Sequence, residues 1–168
     1  MTVIQKKVCL LGDFSVGKTS LVRRFVEGQF DDKYLSTIGV RISRKTLLRA
    51  AGTLNLLVWD LAGAQEFNTQ SSYLIGVSAA LIVCDLTRHT TLDSCAKYVQ
   101  QVRAVNWTAP IVFAGNKLDL IAERSITEEE LRACSETQGG SYVLTSAKSG
   151  AGVDLAFELL AGKLELSV

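Results

Sequence analysis

The sequence predicts an α/β fold: a six-stranded, mostly parallel sheet with one antiparallel edge strand and helices on both faces. Three observations carry this expectation. Short, wholly apolar runs alternate with longer stretches of helical periodicity, the pattern of strands buried on both sides by helices. Two longer, half-polar runs lie on either side of Ala51-Gly52, which suits a hairpin. Polar, glycine-containing turns follow the apolar runs, at the strand ends where such sheets bind ligands.

The elements follow in order. Val8-Cys-Leu-Leu11 is too short for a helix and apolar on both alternations, so it reads as a buried strand. After a glycine-containing loop, Leu21, Val22, Phe25 and Val26 recur at helical spacing, and Gly28 stops that helix. The hairpin strands run from Gly39 to Arg49 and from Thr53 to Asp60. Arg41, Arg44, Lys45 and Arg49 on the first suit an exposed edge, where charge discourages further pairing. Ala79–Asp85, Ile111–Gly115 and Tyr142–Leu144 are the remaining strands, with helical stretches near 91–105, 128–138 and 152–165. Thr127 and Glu130 form a capping box, so Glu128-Glu129-Glu130 reads as a helix start and not as a metal site. The order β-α-β-β-α-β-α-β-α-β-α implies the mostly parallel sheet.

Composition bounds the rest. At 168 residues, 48% apolar, with one proline, the chain fits one domain over residues 1–168. A formal charge of +1 supplies no global field toward nucleic acid or acidic lipid. Cys9, Cys84, Cys95 and Cys134 have no metal-type spacing and read as reduced core thiols, which points to the cytoplasm. No signal-peptide-like start, spanning run, linker or repeat is visible. The only histidine, His89, sits in a polar setting that reads as a surface turn.

Gly12-Asp13-Phe14-Ser15-Val16-Gly17-Lys18-Thr19 matches GxxxxGK[ST] between a strand and a helix, the P-loop NTPase arrangement. Backbone N–H groups from Gly12 through Ser20 can wrap phosphates, with Lys18 reaching the β/γ-phosphates and the Thr19 hydroxyl ligating Mg²⁺. In Leu56-Leu-Val-Trp-Asp60-Leu-Ala-Gly63, Asp60 can hold the Mg²⁺ through a water, and Gly63 can offer its N–H to a γ-phosphate.

Asn116-Lys117-Leu118-Asp119 and Thr145-Ser146-Ala147-Lys148 follow successive strands. Guanine presents N1–H and its 2-amino group along one edge, and the Asp119 carboxylate accepts both. Adenine, with a lone pair at N1 and no 2-amino group, is repelled. Asn116 can tie the two loops together, the stem of Lys117 can lie along the purine, and the Ala147 N–H can meet O6. Ser146 and Lys148 complete that loop.

With these motifs in order, the chain resembles the Ras-like small GTPases over nearly all its length. Tyr34-Leu-Ser-Thr37-Ile-Gly-Val and Val58-Trp59-Asp60 look most like the Rab branch. Similar cores occur in Roc domains and in bacterial Ras-like proteins. The resemblance implies a GTP/GDP switch signalling through bound state, with Mg²⁺ as cofactor. Phe30 then packs on the base, and Thr37 ligates Mg²⁺ and senses the γ-phosphate. Residues 31–40 and 61–75 would be the switches that meet effectors, exchange factors and GTPase-activating proteins. Catalytic contributions would come from Lys18, Thr37, Gly63 and a water-orienting glutamine.

Departures gather at that catalytic end. Ala64 stands where the family usually has the glutamine, and Gln65 follows one residue later. Phe14 is bulky where an activator's arginine would approach, and Ser36 stands where many relatives have proline. The sequence ends Lys163-Leu-Glu-Leu-Ser-Val, with neither a prenylation cysteine nor a basic tail, so no direct membrane anchor is visible. The leading expectation is therefore a switch with slow intrinsic GTP hydrolysis. The alternatives are a nucleotide-binding interaction module with little GTPase activity, or a P-loop ATPase or kinase, against which Asp119 and Ser146-Ala147-Lys148 argue.

Overall fold

The computed structural model describes residues 2–31, 39–61 and 72–165. Its sheet has six strands in the order β2-β3-β1-β4-β5-β6. They are β1 (Thr2–Leu11), β2 (Val40–Arg49), β3 (Gly52–Leu61), β4 (Ala79–Asp85), β5 (Ile111–Asn116) and β6 (Ser141–Leu144). Only β2 runs antiparallel to its neighbour, from Val40 opposite Leu61 to Arg49 opposite Gly52. The expected edge strand is thus at the edge, and its Arg49 pairs with Glu158 at 2.7 Å and Glu165 at 2.8 Å.

The helices are α1 (Lys18–Glu27), α2 (Thr90–Asp93), α3 (Cys95–Val105), α4 (Glu128–Thr137) and α5 (Val153–Glu165). Alternation along each central strand sends side chains to two cores. Val8, Leu10, Leu81, Val83, Val112 and Ala114 pack beneath α1 and α5, where Phe25 and Phe157 stack with ring centroids 3.9 Å apart. Cys9, Leu11, Ala80, Ile82, Ile111 and Phe113 face the other way, against Tyr98, Val99 and Val102 of α3 and Leu131 of α4. This double burial is why those strands read as unbroken apolar runs.

Several boundaries differ from the sequence expectation. Strand β1 begins at Thr2, because its polar first half pairs with β3 from Thr2 opposite Gly52 onward. On its other side β1 meets β4 only from Val8 to Leu11, so residues before Val8 need no continuous apolarity. The hairpin turn is Ala50-Ala51, with Gly52 already in the ladder. The helix expected over 91–105 divides at Ser94, where the backbone keeps helical angles and the hydroxyl donates to Asp13 Oδ2 at 2.7 Å. The capping box is present: Thr127 Oγ1 accepts from Glu130 N at 3.1 Å, and Glu130 Oε2 accepts from Thr127 N at 2.8 Å. Among the described residues no cluster of His, Cys, Asp and Glu suits a metal. The helix expected between β3 and β4 falls largely on residues 62–71, outside the described residues.

All four cysteines are free thiols, with Cys9, Cys84 and Cys95 buried and Cys134 half-buried. His89 is exposed as expected, with Nε2 3.1 Å from Glu130 Oε1. Among the described residues no helix is long and apolar enough to cross a membrane.

Candidate functional site

The site forms where the carboxyl ends of β1, β3, β4 and β5 meet. From β1 the chain enters the Gly12–Gly17 loop and then α1. Gly12 is wedged against β4: a Cβ there would lie 2.4 Å from the Val83 carbonyl oxygen. Gly17 has φ 101°, and a Cβ would lie 2.3 Å from Asn116 Nδ2. Both positions therefore require glycine. Ser15 takes a left-handed φ of 64° without being glycine, so the loop holds it in a conformation that L-residues rarely adopt.

Lys18 is buried, and its ammonium donates to the Gly12 and Asp13 carbonyls at 2.9 and 3.1 Å. Burial pulls its pKa down to about 8, against Asp60 and Asp13, which raise it; Arg88 lowers it further. Thr19 opens α1, and its hydroxyl donates to Asp60 Oδ2 on β3 at 2.5 Å. A buried carboxylate beside a hydroxyl is a hard oxygen donor set. It fits Mg²⁺, which needs only one or two protein ligands when phosphate and water supply the rest.

The base loops are tied to this loop and to each other. Asn116, buried at the end of β5, donates from Nδ2 to the Val16 carbonyl at 3.0 Å. Its Oδ1 accepts from Thr145 Oγ1 at 3.1 Å and from the Ala147 N–H at 3.3 Å. Ser146 Oγ donates to Asp119 Oδ1 at 2.7 Å and so fixes the carboxylate's rotation. A cleft lined by Gly17, Ser20, Phe30, Asn116, Lys117, Asp119, Ala147 and Lys148 runs between these groups. Phe30, α1 and both base loops thus meet there. Phe14 projects outward and is 47% exposed.

Two side chains of the motifs have partners outside them. Asp13 contributes its carbonyl to Lys18, but its carboxylate turns outward to Ser94 Oγ at 2.7 Å and Tyr98 OH at 2.6 Å. Lys117, at φ 69°, borders the cleft while its ammonium pairs with Asp85 at 2.8 Å. Thr37, Gly63, Ala64 and Gln65, with Ser36 and most of 31–40 and 61–75, lie outside the described residues.

The structure adds residues that the motifs did not name. Arg24 of α1 donates to the Ala147 carbonyl at 2.8 Å and the Lys148 carbonyl at 2.5 Å, holding the second base loop. Asp85 ends β4 nearly inaccessible to solvent and gathers bonds from Thr87, Arg88 and Lys117. An aspartate closing an otherwise apolar run was the one signal available for it.

Comparison with known proteins agrees with this geometry. The family model "Ras family" matches residues 7–166. The Ras-related protein RHN1 of Nicotiana plumbaginifolia is 37% identical over 163 residues, covering 96% of this chain and 82% of that protein. RABA2d of Arabidopsis thaliana is 34% identical over 160 residues, covering 94% and 74%. Rab-25 of Oryctolagus cuniculus is 35% identical over 154 residues, covering 90% and 72%. Matches of this extent show that the chain belongs to the Ras family, close to its Rab branch, and is a GTP-binding switch GTPase.

Proposed function

We propose that residues 1–168 act as one GTP-switch domain in which each half of the cleft described above has a separate role. Backbone N–H groups of Gly12–Ser20 and the Lys18 ammonium hold the phosphates. Thr19, Asp60 through a water, and Thr37 hold Mg²⁺, which when bound offsets charge on the phosphate oxygens. Asp119 accepts from guanine N1–H and the 2-amino group, Ala147 N–H meets O6, and Lys117, Phe30, Ser146 and Lys148 border the base.

The observation that carries this reading is the Asp119 carboxylate, fixed by Ser146 Oγ at 2.7 Å in a cleft that opens onto the Gly12–Gly17 loop. A carboxylate so fixed selects for a paired donor edge and against adenine, which opposes the ATPase and kinase alternative. Residues 31–40 and 61–75 meet effectors, exchange factors and activators, as switches that γ-phosphate orders.

Hydrolysis is slow in this proposal. A water attacks the γ-phosphorus, and the bond to the bridging oxygen of the departing GDP breaks. The chain must aim that water, which Ala64 cannot do, and Gln65 stands one position along. Phe14, half exposed at the crest of the loop, crowds the side from which an activator's arginine would come. Single-turnover phosphate release from GTP-loaded protein, with ATP and GTP competed for binding, tests the proposal. Ala64→Gln should accelerate release. Fast unassisted turnover abolished by Gln65→Ala would refute the assignment and make Gln65 the water-orienting residue.

A further inference from the structure

Asp85 and Arg88 lie outside every nucleotide motif, yet they join the two halves of the site. Asp85 Oδ1 accepts from the Thr87 N–H at 2.9 Å and the Thr87 hydroxyl at 2.6 Å. Its Oδ2 accepts from Arg88 Nε at 3.0 Å and from the Lys117 ammonium at 2.8 Å. The same guanidinium donates from Nη2 to the Phe14 carbonyl at 2.8 Å. A continuous line of charge-assisted bonds therefore runs from the crest of the phosphate loop, through Arg88 and Asp85, to the lysine of the first base loop.

The direction of the Phe14 bond matters most. The Phe14–Ser15 peptide is trans and planar, since no cis peptide occurs among the described residues, so its C=O and N–H point opposite ways. Arg88, in the turn after β4, holds the carbonyl on its own side, so the Ser15 N–H points the opposite way. Ser15 needs such a hold, because its φ of 64° is unfavourable for a residue with a Cβ. A guanidinium is well suited to this double contact, because its rigid fork serves the Asp85 carboxylate and the Phe14 carbonyl at once.

We infer that Arg88 is a positioning residue that aims the Ser15 N–H at nucleotide phosphate, and that Asp85 couples this aim to Lys117 of the base loop. The inference rests on the nucleotide assignment proposed above. Burial alone would raise the pKa of the Asp85 carboxyl, but bonds from Lys117, Thr87 and Arg88 hold it below the ordinary range, so the link stays charged at neutral pH. Arg88 is itself partly exposed, with 41% of its side chain accessible, which moderates the effect.

The test is the off-rate of a fluorescent GDP from full-length protein, in Mg²⁺ and again in EDTA. Arg88→Gln should raise the off-rate roughly 3- to 10-fold. It should do so by the same factor in both buffers, since the Thr19–Asp60 pair is untouched, and with the thermal midpoint lowered by no more than the weaker GDP binding itself accounts for. Arg88→Lys, which keeps the charge but not the fork, should fall between Arg88→Gln and wild type. Asp85→Asn should also raise the off-rate, and combining it with Arg88→Gln should add little to the larger single effect. The two Arg88 variants decide the matter even if Asp85→Asn folds poorly. An Arg88→Gln off-rate within about twofold of wild type would overturn the inference, as would a fall in thermal midpoint beyond what the weaker GDP binding accounts for. A wild-type protein that failed to retain GDP would instead refute the nucleotide assignment.

Discussion

Removing the Asn116 side chain should cost both stability and the link between base and phosphate loops. Asn116 is 2% exposed and makes three hydrogen bonds, at 3.0 Å to Val16 O, 3.1 Å from Thr145 Oγ1 and 3.3 Å from Ala147 N. Asn116→Ala leaves the Val16 carbonyl and the buried Thr145 hydroxyl without these partners; the other bond of that hydroxyl, to Gly115 O, is 3.5 Å long. At about 1 kcal/mol per buried bond, the loss is about 3 kcal/mol, the longest bond contributing least. With a urea slope of about 2 kcal/mol/M, the midpoint should fall by about 1.5 M. The assay is urea unfolding in a fixed excess of GDP, repeated at tenfold higher GDP. A binding-competent protein gains about 1.4 kcal/mol from the tenfold increase. The variant should gain clearly less, because Ala147 and Val16 lose their common anchor. A midpoint within about 0.3 M of wild type, with the full GDP response, would refute the reasoning. Thr145→Val, which deletes one of the three bonds, should give roughly a third of the effect.

Asp119→Asn should trade guanine for xanthine. Ser146 Oγ can keep the amide oxygen as its acceptor, which leaves the amide nitrogen facing the base, where xanthine carries a carbonyl. Competition binding checks this, and undiminished GDP affinity would refute it. EDTA should speed GDP release from wild type, and Thr19→Ala should reduce the difference; equal off-rates with and without EDTA would count against the Thr19–Asp60 metal site. Cys134 should be the first thiol alkylated in the native protein. Its thiolate is favoured by the neighbouring Cys95 thiol, which lowers its pKa against the raising effects of burial and Asp93. Its alkylation rate should level off at a lower pH than that of an unperturbed cysteine thiol. A rate still climbing steeply past pH 9, or faster labelling of the buried Cys9, would contradict this.

The parts of the site that were legible in the sequence are those built from contiguous backbone. Gly12–Thr19, Asn116–Asp119 and Ser146–Lys148 work through a local turn, so their residue order contains most of their geometry. Strands buried on both faces, such as Ala79–Asp85, were legible for a similar reason: their surroundings demand apolarity at every position. Contacts between distant segments were not. Arg24 meets the Ala147 carbonyl, and Arg88 the Phe14 carbonyl, only because strand register and helix placement bring them together. Nothing near Asp13 announced that its carboxylate would meet Ser94 and Tyr98, some eighty residues further along the chain. The first half of β1 was missed because pairing on one side makes a strand without apolar alternation.

That pairing of β1 bears on how the chain is made. Strand β1 is synthesised before the other five strands, and it bonds to β3, beginning with Thr2 opposite Gly52, and to β4, beginning with Val8 opposite Ala79. Neither partner is its neighbour in sequence, and the β2–β3 hairpin is the one local pairing in the sheet. During synthesis β1 must therefore wait, its Val8–Leu11 run unpaired on one side, until Asp85 has emerged. At about 5–20 residues per second that wait lasts several seconds. The polar residues Gln5, Lys6 and Lys7 precede the apolar run and keep the waiting segment hydrated. The same strand leads into the phosphate loop at Gly12, so the loop takes shape only after β4 has been made.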